Sequence, residues 1–250
     1  MIDTIDHDAI RELRLSRPPA NALGPDLLAD LRRSVENAAA DDVGGIVISG
    51  ADGLFTGGLD IPLLLELDRA AMLDMLGLFF GTMETLAGSE VPVAAAITGH
   101  SPAGGAVLSL FCDWRVMAAG PFVIGLNEVE VGIPMPSVIA AALARLVGAR
   151  HAEQLCQSGR LLSPDEALAI GLVDRVVPSD RVVSDAIDWC RRLTELPRHA
   201  FVTTRRTVRR DLVEIVQRGR TDDIAALIEE WFRPEVQMPL RALAAQLTNR

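Results

Sequence analysis

Residues 91–130 read VPVAAAITGHSPAGGAVLSLFCDWRVMAAGPFVIGLNEVE. An apolar run, Val93 to Ile97, ends in a small-residue turn, Ser101-Pro102-Ala103-Gly104-Gly105. An apolar helix-like segment follows, then a second strand-like run, then one carboxylate, Glu128, behind Gly125-Leu126-Asn127. Backbone amides exposed at a glycine-rich helix start can hold an oxyanion. A carboxylate in apolar surroundings can serve as a general base. The stretch therefore points to an enzyme that removes a proton next to a carbonyl.

Outward from it, strands alternate with helices through residue 177. Residues 2–5 and 9–15 read as strands around an Asp-rich turn, and Gly45 to Ser49 as a short buried strand. Pro25 suits the first turn of a helix reaching about Ala39. Residues 68–88 read as an amphipathic helix, and 135–147 and 149–157 as two more. Ser163-Pro164-Asp165-Glu166 is a helix start, with an N-cap hydroxyl, a first-turn proline and first-turn acids. Leu172 to Val177 reads as a strand. From Ser179 to about Leu247 the chain is nearly all helical, broken by Pro197, Pro234 and Pro239. The fold class is α/β, with residues 1–195 as core and 196–250 as a helical C-terminal region.

Three small-residue loops follow strand-like runs: Pro18 to Leu23, Gly53 to Ile61, and Gly99 to Gly105. Loops after parallel strands gather at one sheet edge, where ligands bind. Neither glycine loop reads GxGxxG, and no Walker A motif occurs. Gly99-His100-Ser101-Pro102-Ala103 approaches a nucleophile elbow, with Ala in the last place. A serine thioesterase using Ser101 is thus a competing reading, but neither His151 nor His199 follows a late strand as a triad histidine should. Glu128 and Glu130 alternate with Val129 and Val131, so an extended backbone would aim both carboxylates one way. Asp113 beside Arg115 reads as a structural pair or cap. Arg205, Arg206, Arg209 and Arg210 form a basic cluster on one helix. It is either a solvated face or a phosphate contact.

Composition narrows the function. The chain has 250 residues, 49% of them apolar, and a net charge of −10. That charge argues against nucleic acid as a partner. All 24 basic residues are arginine, so lysine Schiff-base and P-loop lysine chemistry are excluded. The three cysteines and four histidines are scattered without metal or redox spacing. No apolar run reaches the length of a membrane span. The acidic start MIDTIDHDAIRELRL is neither a secretory signal nor a transit peptide, so the expected compartment is cytoplasmic.

The pieces together resemble the crotonase, or enoyl-CoA hydratase/isomerase, superfamily over essentially the full length. The resemblance rests on Arg17-Pro18-Pro19-Ala20-Asn21-Ala22-Leu23, Phe55-Thr56-Gly57-Gly58-Leu59-Asp60-Ile61, Pro102-Ala103-Gly104-Gly105, Cys112-Asp113, Gly125-Leu126-Asn127-Glu128, Ala167 with Ile170-Gly171-Leu172-Val173-Asp174, and Val176-Val177-Pro178. Within the superfamily the chain looks most like the mitochondrial-type Δ3,Δ2-enoyl-CoA isomerases. The resemblance implies a spiral of ββα units, C-terminal helices that support a homotrimer or a dimer of trimers, and an acyl-CoA thioester substrate with no other cofactor and no metal. It implies an oxyanion hole from the amides of Leu59 and Gly104, a catalytic Glu128, and a CoA site lined by Ala20, Ala22, Leu23, Gly57, Gly58, Leu59, Asp60, Ile61 and Gly104. The hydratases carry a second glutamate three residues after the oxyanion-hole glycine. Here that position is Val107. Adding water uses two carboxylates, whereas moving a double bond needs one base, so the resemblance implies isomerisation. A family member with weak hydratase activity and a non-catalytic acyl-CoA-binding protein are the alternatives.

Overall fold

A computed structural model describes residues 1–38 and 40–248, with only the backbone for residues 247 and 248. In chain order the elements are β1 (Ile2–His7), β2 (Ile10–Leu15), α1 (Pro25–Ala38), β3 (Gly45–Ser49), β4 (Gly53–Leu54), α2 (Ile61–Leu64), α3 (Arg69–Gly88), β5 (Val93–Ile97), β6 (Gly99–Pro102), α4 (Gly104–Leu110), β7 (Trp114–Ala118) and β8 (Ile124–Gly125). There follow α5 (Ser137–Val147), α6 (Ala149–Ser158), α7 (Pro164–Ala169), β9 (Arg175–Val177), α8 (Val182–Thr194), α9 (Arg198–Val208), α10 (Arg210–Trp231) and α11 (Pro234–Thr248).

The strands form a six-stranded sheet in the order β1-β2-β3-β5-β7-β9 and a three-stranded sheet in the order β4-β6-β8. Only the β1–β2 pair is antiparallel. Successive strand pairs therefore give one strand to each sheet: β3 and β4, β5 and β6, β7 and β8. This is the expected spiral of ββα units.

The sequence explains the layering. In β3 and β5 every residue is buried, because the large sheet is covered on both faces. Ile46, Ile48, Val93, Ala95 and Ile97 enter the main core, while Val47, Ala94 and Ala96 face the second cluster, built on Val182, Ala186 and Cys190 of α8. Helix α3 is long and apolar enough to cross a membrane, yet here it spends that surface on the core. It packs against α1 and α10 and buries residues from Met72 to Ala87. Burial around most of its second half, rather than along one stripe, departs from the amphipathic helix expected there.

Several boundaries differ from expectation for local reasons. The expected α1 end, residue 39, lies outside the described residues, as do residues 249 and 250. Of residues 172–177 only 175–177 are extended. The amides of Leu172 and Val173 turn back onto the Ala167 carbonyl, at 2.8 and 3.3 Å. Pro239 does not end a helix but sits inside α11, where it forgoes one amide-to-carbonyl bond. The Ser163 start is a full capping box, with Glu166 returning a bond to the Ser163 amide at 2.9 Å.

Candidate active site

The three small-residue loops meet at one edge, as their placement after parallel strands predicts. The Leu23 amide donates to the Gly58 carbonyl at 2.8 Å, the Asp60 amide to the Leu23 carbonyl at 3.2 Å, and the Gly57 amide to the Ala20 carbonyl at 2.8 Å. Asn21, buried and held at φ 48°, donates its side-chain amide to the Phe55 carbonyl at 3.1 Å. The third loop is pressed against the second. A Cβ on Gly58 would stand 3.3 Å from the Gly104 nitrogen, and a Cβ on Gly104 would stand 3.3 Å from the Leu59 nitrogen. The approach that brings these two amides together needs glycine at both positions. Gly58 also adopts φ 92°.

Neither the Leu59 nor the Gly104 amide takes part in the loop hydrogen bonds among the described residues. Gly104 opens α4, so its amide is a first-turn donor without an intrahelical acceptor. The preceding residue, Ala103, is held at φ 47° and ψ −117°, a strained conformation for a residue with a Cβ. Its own amide is fixed to the Gly125 carbonyl at 2.8 Å. Leu59 and Gly104, with their amides outside the loop hydrogen bonds, both line a cavity of about 270 Å³.

Gly57, Leu59, Ile61, Gly104 and Glu128 line that cavity. The other sequence candidates do not. Leu23 is fully buried, with its amide and carbonyl both committed, and braces the second loop. Gly58 supplies clearance rather than wall. Asp60 is buried as the N-cap of α2, accepting from the Leu63 amide at 3.2 Å, and is ion-paired with Arg17. Ala20 and Ala22 lie outside the cavity, and their carbonyls accept from Gly57 and Arg17. The Leu23 side chain packs in the core, and the Asp60 carboxylate is turned to Arg17 and the start of α2.

Glu128 begins a 3-10 turn, Glu128–Val131, rather than an extended segment. Glu128 is 9% exposed while Glu130 faces solvent, so the two carboxylates do not point together. Gly132, at φ 84°, closes the turn. Burial pushes the Glu128 carboxyl up to about 7, because the charged form loses its hydration. Its Oε2 atom, and Oδ1 of the adjacent Asn127, have no hydrogen-bond partner among the described residues. Asn127 lines the cavity too. The sequence reading gives this polar side chain no role, though it stands next to Glu128. Val107 is 1% exposed in the core and is not part of the cavity wall.

The remaining walls come from helices: Met72, Leu76 and Phe79 of α3, Ile139 of α5, Leu227 and Trp231 of α10, and Leu243 of α11. No periodicity in the sequence marks these as wall residues, since their apolar character serves core and cavity alike.

Other candidates resolve into structure. Ser101 is 0% exposed, its hydroxyl has no partner among the described residues, and a Cβ on Gly105 would come within 2.7 Å of it. A nucleophile needs an adjacent base and access, and Ser101 has neither. The arginine cluster is not on one helix: Arg205 and Arg206 lie in α9, Arg209 at the junction, and Arg210 begins α10. Arg205 and Arg209 are buried and pair with Asp113 at 2.9 and 3.1 Å, so they offer no phosphate site. Arg205 also donates to the carbonyls of Leu86, Ala87 and Ser89. Arg209 donates to those of Ala87, Phe111 and Cys112. Arg115 forms its ion pair with Asp174 at 2.8 Å and donates to the backbone carbonyl of Asp113 at 3.2 Å.

Residues 6–243 match the model of the enoyl-CoA hydratase/isomerase family. Over 253 aligned residues the chain is 30% identical to the mitochondrial enoyl-CoA delta isomerase 1 of Mus musculus, covering all of this chain and 88% of the mouse protein. A probable enoyl-CoA hydratase of Mycobacterium avium is 32% identical over 194 residues, covering 77% of this chain and 75% of that protein. The crystal structure of human mitochondrial Δ3-Δ2-enoyl-CoA isomerase superimposes with a TM-score of 0.94 at 28% identity, covering 99% of this chain and 98% of the human one. With a family model spanning nearly its whole length, the chain belongs to the enoyl-CoA hydratase/isomerase family.

Proposed function

We propose that the protein converts 3-enoyl-CoA to trans-2-enoyl-CoA, with Glu128 as the only base. The thioester oxygen is received by the amides of Leu59 and Gly104. Glu128 takes a proton from C2, and the freed electron pair spreads through C3 and C4 and onto the thioester oxygen as a dienolate. The protonated Glu128 then gives the proton to C4, and the C2–C3 double bond forms. Proton and electrons balance within the substrate, so the scheme calls for no cofactor beyond the CoA it carries. Each oxyanion donor contributes about 3 kcal/mol to such a step.

The observation that carries this reading is one buried carboxylate, Glu128, whose Oε2 atom has no partner among the described residues, in the same cavity wall as Leu59 and Gly104. A pKa of about 7 suits one group that must both accept and return a proton near neutrality. Val107 supports it further, because a hydratase would need a second carboxylate to position water. The similar identity to a protein named as a hydratase gives the second reading, in which water adds to the 2-enoyl thioester.

Supplying trans-3-hexenoyl-CoA and, separately, trans-2-hexenoyl-CoA separates the two. The isomerase reading expects rapid formation of the conjugated 2-enoyl product from the first and hydration of the second at least ~100-fold slower, the scale of a missing general acid–base group. Hydration as fast as isomerisation would overturn it.

A further inference from the structure

The polar groups in the cavity wall are Glu128, Asn127, the loop amides and the indole N–H of Trp231, and the other side chains lining it are hydrocarbon or thioether. Trp231, the largest side chain in that wall, is the last residue of α10 and is 7% exposed. Its indole N–H has no acceptor among the described residues. The ring forms part of the wall, so its bulk takes up space that an acyl chain would otherwise fill. That end of α10 is also fixed in place. The Trp231 carbonyl accepts from the Gln237 side chain at 2.9 Å, Glu229 pairs with Arg69 at 2.7 Å, and the Arg69 guanidinium lies 5.0 Å over the Phe232 ring.

Volume sets the scale. A closed apolar cavity of about 150 Å³ takes up benzene, six carbons. By that ratio the 270 Å³ here has room for roughly ten or eleven carbon atoms. We infer that Trp231 is a specificity-determining residue that limits the acyl group to a medium-length hydrocarbon chain, about eight to twelve carbons. The inference rests on the acyl-CoA reading above, but not on which reaction follows binding.

Calorimetric titration with saturated butanoyl-, decanoyl- and hexadecanoyl-CoA tests it without turnover. In the wild type, affinity should rise by up to about fourfold per methylene as far as decanoyl and then stop rising or fall. Trp231→Ala should bind hexadecanoyl-CoA at least tenfold more tightly than the wild type does, with Trp231→Phe in between. Should Trp231→Ala fail to fold by circular dichroism, Trp231→Phe alone carries the test, with a smaller shift in the same direction. A wild-type affinity that keeps climbing to hexadecanoyl, or length profiles unchanged in folded variants, would overturn the inference. The predicted break in binding with no turnover of any 3-enoyl-CoA would support it while overturning the isomerase reading.

Discussion

Two carboxylates in this fold, the half-buried Asp113 and the buried Glu128, have opposite surroundings. Asp113 is saturated: its oxygens accept from the Val93 amide at 2.8 Å and pair with Arg205 and Arg209. Those arginines spend their remaining donors on carbonyls at the ends of α3 and α4. Burial lowers Arg209 to about 10, still a cation at neutral pH. Glu128 is buried, but Oε2 has no partner, its neighbour Asn127 is equally unmatched, and the loop amides of Leu59 and Gly104 are uncommitted. Native interiors rarely leave polar groups in this state. The Asp113 network fastens the C-terminal helices to the sheet. The Glu128 edge leaves unmatched the atoms that a reacting thioester would match.

This contrast can be broken first at its saturated end. Asp113→Asn leaves two buried guanidinium groups without a counter-charge, and should cost about 3–5 kcal/mol in urea or thermal unfolding. A loss under 1 kcal/mol would mean that the surrounding carbonyls suffice. At the other end, Gly104→Ala puts a Cβ 2.9 Å from Leu23 Cδ1 and 3.3 Å from the Leu59 nitrogen. Turnover should fall about 100-fold or more, the value of one oxyanion donor, with far less effect on unfolding than Asp113→Asn.

The Glu128 carboxyl should cost stability where Asp113 supplies it. Its folded value, about 7, lies above the ordinary 4.5, so the unfolded chain releases this proton more readily. The favourable contribution is complete below about pH 4.5 and is lost as pH rises through about 7. Glu128→Gln should therefore gain about 3 kcal/mol over the wild type near pH 8 and nothing near pH 4, as read from paired unfolding curves. The same titration should appear in kcat/KM as activity lost when pH falls through about 7. A profile flat down to pH 5 would place the base elsewhere.

The legible part of the molecule was the part written in local chemistry. The capping box at Ser163 follows from backbone needs within a few residues, and the unbroken apolar runs of β3 and β5 announce strands covered on both faces. What the sequence hid depends on distant partners. Arg205 and Arg209, spaced four apart, look like a helix face, but their acceptors are near residues 86–89 and 111–113. Glu128-Val129-Glu130-Val131 fits a strand as well as one tight turn, and only Gly132 at φ 84° decides between them. The cavity's far walls arise when α3, α10 and α11 dock, which no single segment encodes.

The most direct test is the rate on trans-3-hexenoyl-CoA of Glu128→Gln beside Glu130→Gln, each confirmed folded. The predicted result is a loss of about 1,000-fold or more for Glu128→Gln, the scale of a removed general base, and a change within about twofold for the exposed Glu130. Full activity in Glu128→Gln with a collapse in Glu130→Gln would contradict the one-base account.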